Sequence, residues 1–176
     1  MRNRIRQLIL FDIDGTLIFP RASSRKLIDS MVQDISKFSP KLKVEDVAGL
    51  TDPLIVENAL RRTGVKESLL PSAINDILYY YPQRLTKVYE NDEEVFVYQD
   101  AIRLARACKA EGWEIALLSG NIREAAKIKL DRFSLWEMFG FGLFGDDARK
   151  REDFVWMVEE DVWVTFGESF AHDRMV

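Results

Sequence analysis

The chain has 176 residues, of which 47% are hydrophobic, so it can bury one sizeable core with a small additional domain. A net charge of −4 offers no electrostatic basis for nucleic-acid binding, and no apolar run is long enough to cross a membrane. The single cysteine, Cys108, excludes an intrachain disulfide, which is typical of a reducing compartment, and we expect a cytoplasmic protein.

The first predicted element is a buried strand at residues 7–11, where a short apolar run ends in polar turn residues. Three helices are predicted after it. The first carries apolar residues at three- and four-residue steps over 28–38. The second begins after Thr51 as its N-cap and ends before Gly64, and Ser72 is predicted to cap the third.

Beyond about residue 92 the pattern changes to alternating helices and strands. Helices are predicted at 100–110, 122–133 and 151–160, and strands at 113–118, 141–144 and 162–166. This alternation predicts a doubly wound α/β fold with a parallel sheet. We therefore expect an α/β core made of residues 1–18 and 93–176, interrupted after its first strand by a helical segment at 19–92.

The strongest chemical signal is Phe11-Asp12-Ile13-Asp14-Gly15-Thr16-Leu17, directly after the first strand. Sites in open α/β sheets form at the carboxyl ends of strands. Two carboxylates at such an edge repel each other unless a cation lies between them, and Mg²⁺ prefers oxygen ligands of this kind. Asp12 can attack phosphorus, while Asp14 can protonate the leaving oxygen and then help to deprotonate water. A two-aspartate turn alone would be a plain polar turn, but the whole segment is far more specific.

This segment resembles the first motif of the haloacid dehalogenase superfamily. The helical segment resembles the cap of the phosphoglycolate-phosphatase-like and β-phosphoglucomutase-like branch. The resemblance implies a Rossmann-like core with a small helical cap. It also implies an Mg²⁺-dependent phosphatase of a small phosphorylated metabolite that forms an aspartyl-phosphate on Asp12. We expect a monomer or homodimer that binds neither nucleic acid nor membranes.

A second motif is expected at Ser119-Gly120-Asn121, where a predicted strand ends and a helix begins. The Ser119 hydroxyl and the backbone N–H groups at a helix start can donate to phosphate oxygens. The resemblance implies that Ser119 binds the phosphoryl group and that Gly120 and Asn121 line the substrate site. Alternatively, Ser119 or Asn121 only caps the helix.

The resemblance also implies a basic residue that stabilises charge on the phosphoryl group. The segment at 144–151 resembles a family variant with arginine in this place, which favours Arg151. Arg149 and Lys150 are close alternatives, and all three could instead belong to a solvated helix start.

A fourth, acidic motif is expected after the last predicted strand, at residues 167–173. Glu168 takes its first acidic place and Asp173 its second, so that the implied metal ligands are Asp12, Asp14, Glu168 and Asp173. Glutamate is one methylene longer than the usual aspartate, and the strict geometry of Mg²⁺ makes that difference matter.

The segment Gly49-Leu50-Thr51-Asp52 resembles a cap segment that faces the active site in this branch. Thr51 and Asp52 are therefore candidate substrate-binding residues, although a helix start followed by Pro53 explains them equally well.

Two other functions remain open. A phosphomutase would use the same chemistry but keep water away from the aspartyl-phosphate. A protein of this fold with little activity and a binding role is the other alternative, because Glu168 departs from the pattern and the chain ends at Val176, where the family usually continues.

Overall fold

The computed structural model describes residues 7–90, 92–154, 157–158 and 175–176. Within these ranges the strands are β1 (Leu8–Phe11), β2 (Ile18–Phe19), β3 (Phe96–Val97), β4 (Glu114–Leu118) and β5 (Gly142–Leu143). The helices are α1 (Ser23–Ser36), α2 (Asp52–Arg62), α3 (Leu70–Glu90), α4 (Gln99–Ala110) and α5 (Arg123–Asp131). Helices α1, α2 and α3, here called the insertion helices, lie between β1 and β4 in the chain. None of the helices in the described part combines the length and apolar character needed to span a membrane.

The main sheet is parallel and has the strand order β1-β4-β5. Its register pairs Phe11 with Leu117 and Leu118 with Leu143, so the carboxyl ends of the three strands meet at one edge. Met175 forms a bridge with Leu8, which places the end of the chain beside β1. The parallel sheet with its helices confirms the predicted α/β class.

The chain passes between the sheet and the insertion helices through a two-stranded ribbon. β2 and β3 pair antiparallel, and the rings of Phe19 and Phe96 stack with centroids 5.0 Å apart. This ribbon could not be predicted from the sequence, because two residues per strand are too few to show an alternating pattern. One buried apolar cluster joins the two parts and includes Ile28, Ile55 and Leu117. The division into residues 1–18 with 93–176 and 19–92 therefore stays a prediction.

The predicted bounds of the second helix are confirmed, but the Thr51 side chain forms no capping hydrogen bond. Thr51 has an extended backbone directly before α2, with Pro53 in the first turn. Gly64, with φ +80°, lies just beyond its end, in a left-handed conformation that glycine adopts without strain.

The predictions for the neighbouring helices need two corrections. Lys37 is left-handed and ends α1, so Phe38 lies outside the helix and is 67% exposed instead of packing on its apolar face. The third helix begins at Leu70, because a 3₁₀ turn at Glu67–Leu69 leads directly into it. Ser72 is thus inside the helix and does not cap it.

The last predicted elements fall only partly within the described residues. The predicted strand at 141–144 is reduced to β5, and the segment predicted as a helix from residue 151 begins with a 3₁₀ turn at Arg151–Asp153. The predicted strand at 162–166 and the acidic motif at 167–173 lie outside the described residues.

Candidate active site

The turn after β1 holds two aspartates over an apolar base. Ile13 and Leu17 are fully buried, and the N–H of Ile18 donates to the carbonyl of Ile13 at 2.9 Å. Gly15 has φ +84°, which lets the chain reverse without strain. The Asp12 and Asp14 side chains are 33% and 31% exposed, so both reach the surface of the turn.

The turn after β4 lies against these aspartates, as the shared sheet edge predicts. Ser119 is fully buried at the end of the strand, and its N–H donates to the carbonyl of Leu143 at 3.0 Å. The Asn121 carboxamide donates to Oδ2 of Asp14 and to Oγ of Ser119, both at 2.8 Å. Residues from the first and second predicted motifs therefore form one hydrogen-bonded cluster.

Gly120 lies where the second motif meets the insertion helices. A Cβ atom built on Gly120 would lie 2.2 Å from the carbonyl oxygen of Leu50. This is far below van der Waals contact, so the packing requires glycine at this position. The backbone of the motif is thereby brought directly against the segment that precedes α2.

The three neighbouring basic residues at 149–151 have different surroundings. The Arg151 guanidinium is 2.8 Å from Oδ1 of Asp12. Arg149 forms an ion pair with Glu57 of α2, and Lys150 is exposed. Of these three, Arg151 is the residue that contacts the candidate nucleophile.

Lys129, on α5, is a member of the site that sequence reasoning missed. Its side chain is only 1% exposed, and Nζ is 2.6 Å from both Oδ2 of Asp14 and Oδ1 of Asn121. Burial is the largest single influence and lowers the pKa of this ammonium group. The charges of Asp14, Tyr89, Tyr81 and Asp52 together outweigh it, with Asp14 contributing most, so that the pKa of Lys129 is raised. The one sequence signal is periodic: Lys129 follows the buried Ala125 and Ala126 by four and three residues, on the apolar face of its helix.

The other two candidates, Thr51 and Asp52, are buried at the start of α2 against the sheet edge. The N–H of Asp52 donates to the carbonyl of Gly120 at 2.7 Å, and its Oδ2 accepts from the N–H of Ile122 at 2.9 Å. Thr51 donates through Oγ1 to the carbonyl of Arg149 at 2.7 Å. Burial raises the pKa of the Asp52 carboxyl to about 6.

A cavity of about 570 Å³ opens between the sheet edge and the insertion helices. The wall formed by the sheet edge is polar and carries Asp12, Asp14, Ser119, Lys129 and Arg151. The opposite wall, with Ile28, Val47, Leu50 and Ile55 beside Arg25, is mainly apolar. The candidate residues of the first three motifs therefore face one shared space.

Asp12 and Asp14 offer oxygen atoms that suit a divalent cation. Oδ1 of Asp14 is buried and has no hydrogen-bond partner among the described residues, and such an orphaned acceptor fits a metal neighbour. The structure describes no group of three or more His, Cys, Asp or Glu side chains that could hold a metal within its ranges. Glu168 and Asp173, the remaining predicted ligands, lie outside them.

The sequence pattern of the haloacid dehalogenase-like hydrolases matches residues 7–153, and the chain belongs to this family. A phosphoglycolate phosphatase from Pseudomonas fluorescens is 23% identical to it over 154 residues, which are 86% of this chain and 55% of that protein. The chain thus spans about half the length of this curated relative.

Several solved structures share the fold. CbbY from Rhodobacter sphaeroides, in complex with phosphate, has a TM-score of 0.75 and 17% identity, over 98% of this chain and 76% of that chain. A predicted phosphatase from Clostridium acetobutylicum has a TM-score of 0.67 and 17% identity, over 98% and 74%. A β-phosphoglucomutase from Pyrococcus sp. has a TM-score of 0.53 and 22% identity, over 93% and 75%. These likenesses confirm the haloacid dehalogenase-like fold.

Proposed function

We propose that this chain is an Mg²⁺-dependent phosphatase of a small phosphorylated metabolite, with Asp12 as the nucleophile. The observation that carries the proposal is the grouping of Asp12, Asp14, Ser119 and Arg151 around one cavity, with Arg151 2.8 Å from Asp12. Membership of a hydrolase family supports the same conclusion.

In this proposal each residue has a separate task. The Asp12 carboxylate attacks phosphorus and forms an aspartyl-phosphate, while Asp14 gives a proton to the leaving oxygen. Asp14 then takes a proton from the water that hydrolyses the intermediate. Ser119 and the N–H groups before α5 hold phosphate oxygens, and Arg151 stabilises the charge that develops on them.

Asp12 and Asp14 would hold the Mg²⁺ together with Glu168 and Asp173. When bound, the ion would offset the repulsion between the anionic carboxylate and the anionic phosphate. The orphaned Oδ1 of Asp14 supports this assignment.

We further propose that residues 19–92 act as a cap that closes over the site and selects the substrate. The cavity volume of about 570 Å³ lies in the usual range for small ligands. Asp52 lines the cavity from the cap side, whereas Thr51 is buried behind it and bonded to the carbonyl of Arg149. The relative named as a phosphoglycolate phosphatase makes 2-phosphoglycolate a first compound to test.

The proposal is tested by hydrolysis of p-nitrophenyl phosphate and a panel of sugar and small-acid phosphates, with Mg²⁺ and with EDTA. We expect turnover by the unaltered protein with Mg²⁺, loss on chelation, and loss in Asp12→Asn, which cannot form the aspartyl-phosphate. The control is Asp34→Asn, because Asp34 pairs with Arg84 on the surface, away from the cavity, and should leave turnover unchanged.

Two results would contradict the proposal. Turnover that survives in Asp12→Asn would exclude Asp12 as the nucleophile. A folded protein with no turnover of any compound would exclude the phosphatase activity, and a lasting phosphoenzyme in that protein would favour a phosphomutase instead.

A further inference from the structure

Lys129 is a buried cation that none of the four expected motifs contains. Its ammonium group lies beneath the site and donates to Oδ2 of Asp14 and Oδ1 of Asn121, each at 2.6 Å. It does not contact Asp12, which is paired with Arg151 instead. The two carboxylates of the first motif thus have separate cationic partners.

Stability alone does not call for this lysine. Burying an ammonium group carries a large desolvation penalty, and replacing a buried ion pair by apolar residues of similar size is often neutral or stabilising. Lys129 occupies the apolar face of α5, beside the fully buried Leu130 and Ala126, where methionine would fit the helix pattern. A role in the site accounts for the lysine better than packing does.

Lys129 determines which groups donate and which accept in the hydrogen bonds among Asn121, Asp14 and Ser119. An ammonium group can only donate, so it must face the carbonyl oxygen of the Asn121 carboxamide. The NH₂ group of Asn121 is thereby turned toward Asp14 and Ser119, to which it donates at 2.8 Å. Ser119 Oγ also accepts from the N–H of Asn121 at 3.3 Å, which leaves its own hydroxyl proton free for a phosphate oxygen.

We propose that Lys129 is a positioning residue that orients Asp14 for proton transfer, acting directly and through the Asn121 carboxamide. This inference rests on the proposed phosphatase function. Without Lys129 the carboxamide is free to turn over, and Asp14 loses one of the two donors that fix its Oδ2. The proton that Asp14 passes to the leaving oxygen then travels along a poorly aligned path.

The test compares leaving groups that differ in their need for a proton. An alkyl phosphate needs a proton on its leaving oxygen, because an alkoxide is a poor leaving group. The p-nitrophenolate of p-nitrophenyl phosphate leaves readily without a proton. We expect Lys129→Met to lower kcat/KM for an alkyl phosphate by about 100-fold or more, the usual range for acid–base catalysis and misalignment. For p-nitrophenyl phosphate the same ratio should fall by less than about tenfold, since general acid catalysis contributes little there.

Three further variants define the origin of the effect. Lys127→Met removes a lysine from the exposed face of the same helix, where it pairs with Asp131, and should leave both substrates unaffected. Lys129→Arg keeps the cation and should restore part of the alkyl phosphate activity. Asn121→Ala should repeat the selective loss, and it carries the test if Lys129→Met does not fold.

A readout without turnover completes the experiment. The side-chain NH₂ signals of Asn121 in an ¹⁵N correlation spectrum, identified by their loss in Asn121→Ala, should shift in Lys129→Met and remain in place in Lys127→Met. An equal loss for both substrates, or unshifted Asn121 signals, would overturn the positioning role. If the unaltered protein hydrolyses neither substrate, the proposed function fails first and this inference fails with it.

Discussion

At the residue scale, Arg151 and Lys150 are adjacent in the chain but differ in what their charge can do. Arg151 contacts Asp12, and Lys150 is exposed. We expect Arg151→Met to lower kcat/KM by about 100- to 1,000-fold, the usual effect of removing one group that stabilises transition-state charge. Lys150→Met removes a neighbouring positive charge and should stay within about twofold of the unaltered protein, as surface changes usually do. Steady-state kinetics with p-nitrophenyl phosphate measure both values of kcat/KM. Equal losses in the two variants would contradict a role for Arg151 in the reaction.

Asp52 provides a second residue-scale prediction, on pH and stability. Burial raises the pKa of its carboxyl from 3.8 to about 6 in the folded protein. The folded state therefore binds the Asp52 proton more tightly than the unfolded state. The stability that this proton contributes is fully present below pH 4 and is lost as the pH rises through about 6.

Asp52→Asn removes this titration but keeps an oxygen that can accept from the N–H of Ile122. Its free energy of unfolding relative to the unaltered protein should rise by about 2 to 2.5 kcal/mol between pH 4 and pH 7, from the shift of about two pKa units. Urea unfolding of both proteins at several pH values measures the difference. A difference that does not change with pH would mean that Asp52 titrates normally.

The residues whose clustering could be predicted are those whose place in the fold follows from their position in the chain. Asp12, Asp14 and Ser119 follow strands, and the parallel sheet brings strand ends together, so their clustering could be predicted. Lys129 could not be found in this way, because it reaches the site from the last turn of a helix and not from the end of a strand. The direction of the Lys129 side chain depends on how α5 packs under the turn after β1, and local residue spacing does not predict that packing.

At the element scale, the start of α2 is bonded to the turn at residues 119–122 through backbone groups. A Cβ on Gly120 would meet the carbonyl oxygen of Leu50 at 2.2 Å. Gly120→Ala should therefore push α2 away from the turn and cost about 1–3 kcal/mol of unfolding free energy, as overpacking usually does.

The matched control for this substitution is Gly140→Ala. A Cβ on Gly140 meets nothing within 4 Å, so the free energy of unfolding of the Gly140→Ala protein should change by no more than about 0.5 kcal/mol. Chemical denaturation of the two variants gives both values. Equal stability in the two would show that α2 tolerates displacement from the turn.

Elements were predicted correctly where the sequence has an apolar run of several residues or a clear start or stop residue. The α2 boundaries followed from Thr51 and Gly64, and the buried run of β4 from its continuous apolar sequence. The α1 end and the α3 start were misplaced, because a left-handed Lys37 and a 3₁₀ turn carry no strong sequence signal. The β2–β3 ribbon depends on residues far apart in the chain and lies beyond local patterns.

At the scale of the whole molecule, the sheet and the insertion helices share one apolar cluster. We therefore expect a single unfolding transition rather than one for each part. The helical signal in circular dichroism reports mainly the unfolding of α1, α2 and α3, which hold most of the residues in the described helices. Tryptophan fluorescence follows the rest of the chain, since the sequence has no tryptophan between residues 19 and 92. The two urea curves should coincide, and separate midpoints would indicate two independent units.

The hydrogen bonds between the start of α2 and the sheet edge also limit which segments of this protein can be exchanged with those of a relative. Asp52 binds Gly120 and Ile122, and Thr51 binds the carbonyl of Arg149. Insertion helices transplanted from a relative would break these contacts unless the donor supplied a similar helix start and the recipient kept Gly120. Chimaeras joined only at β2 and β3 should therefore assemble poorly. Those that carry residues 49–52 together with the 119–122 turn of the same parent should assemble well.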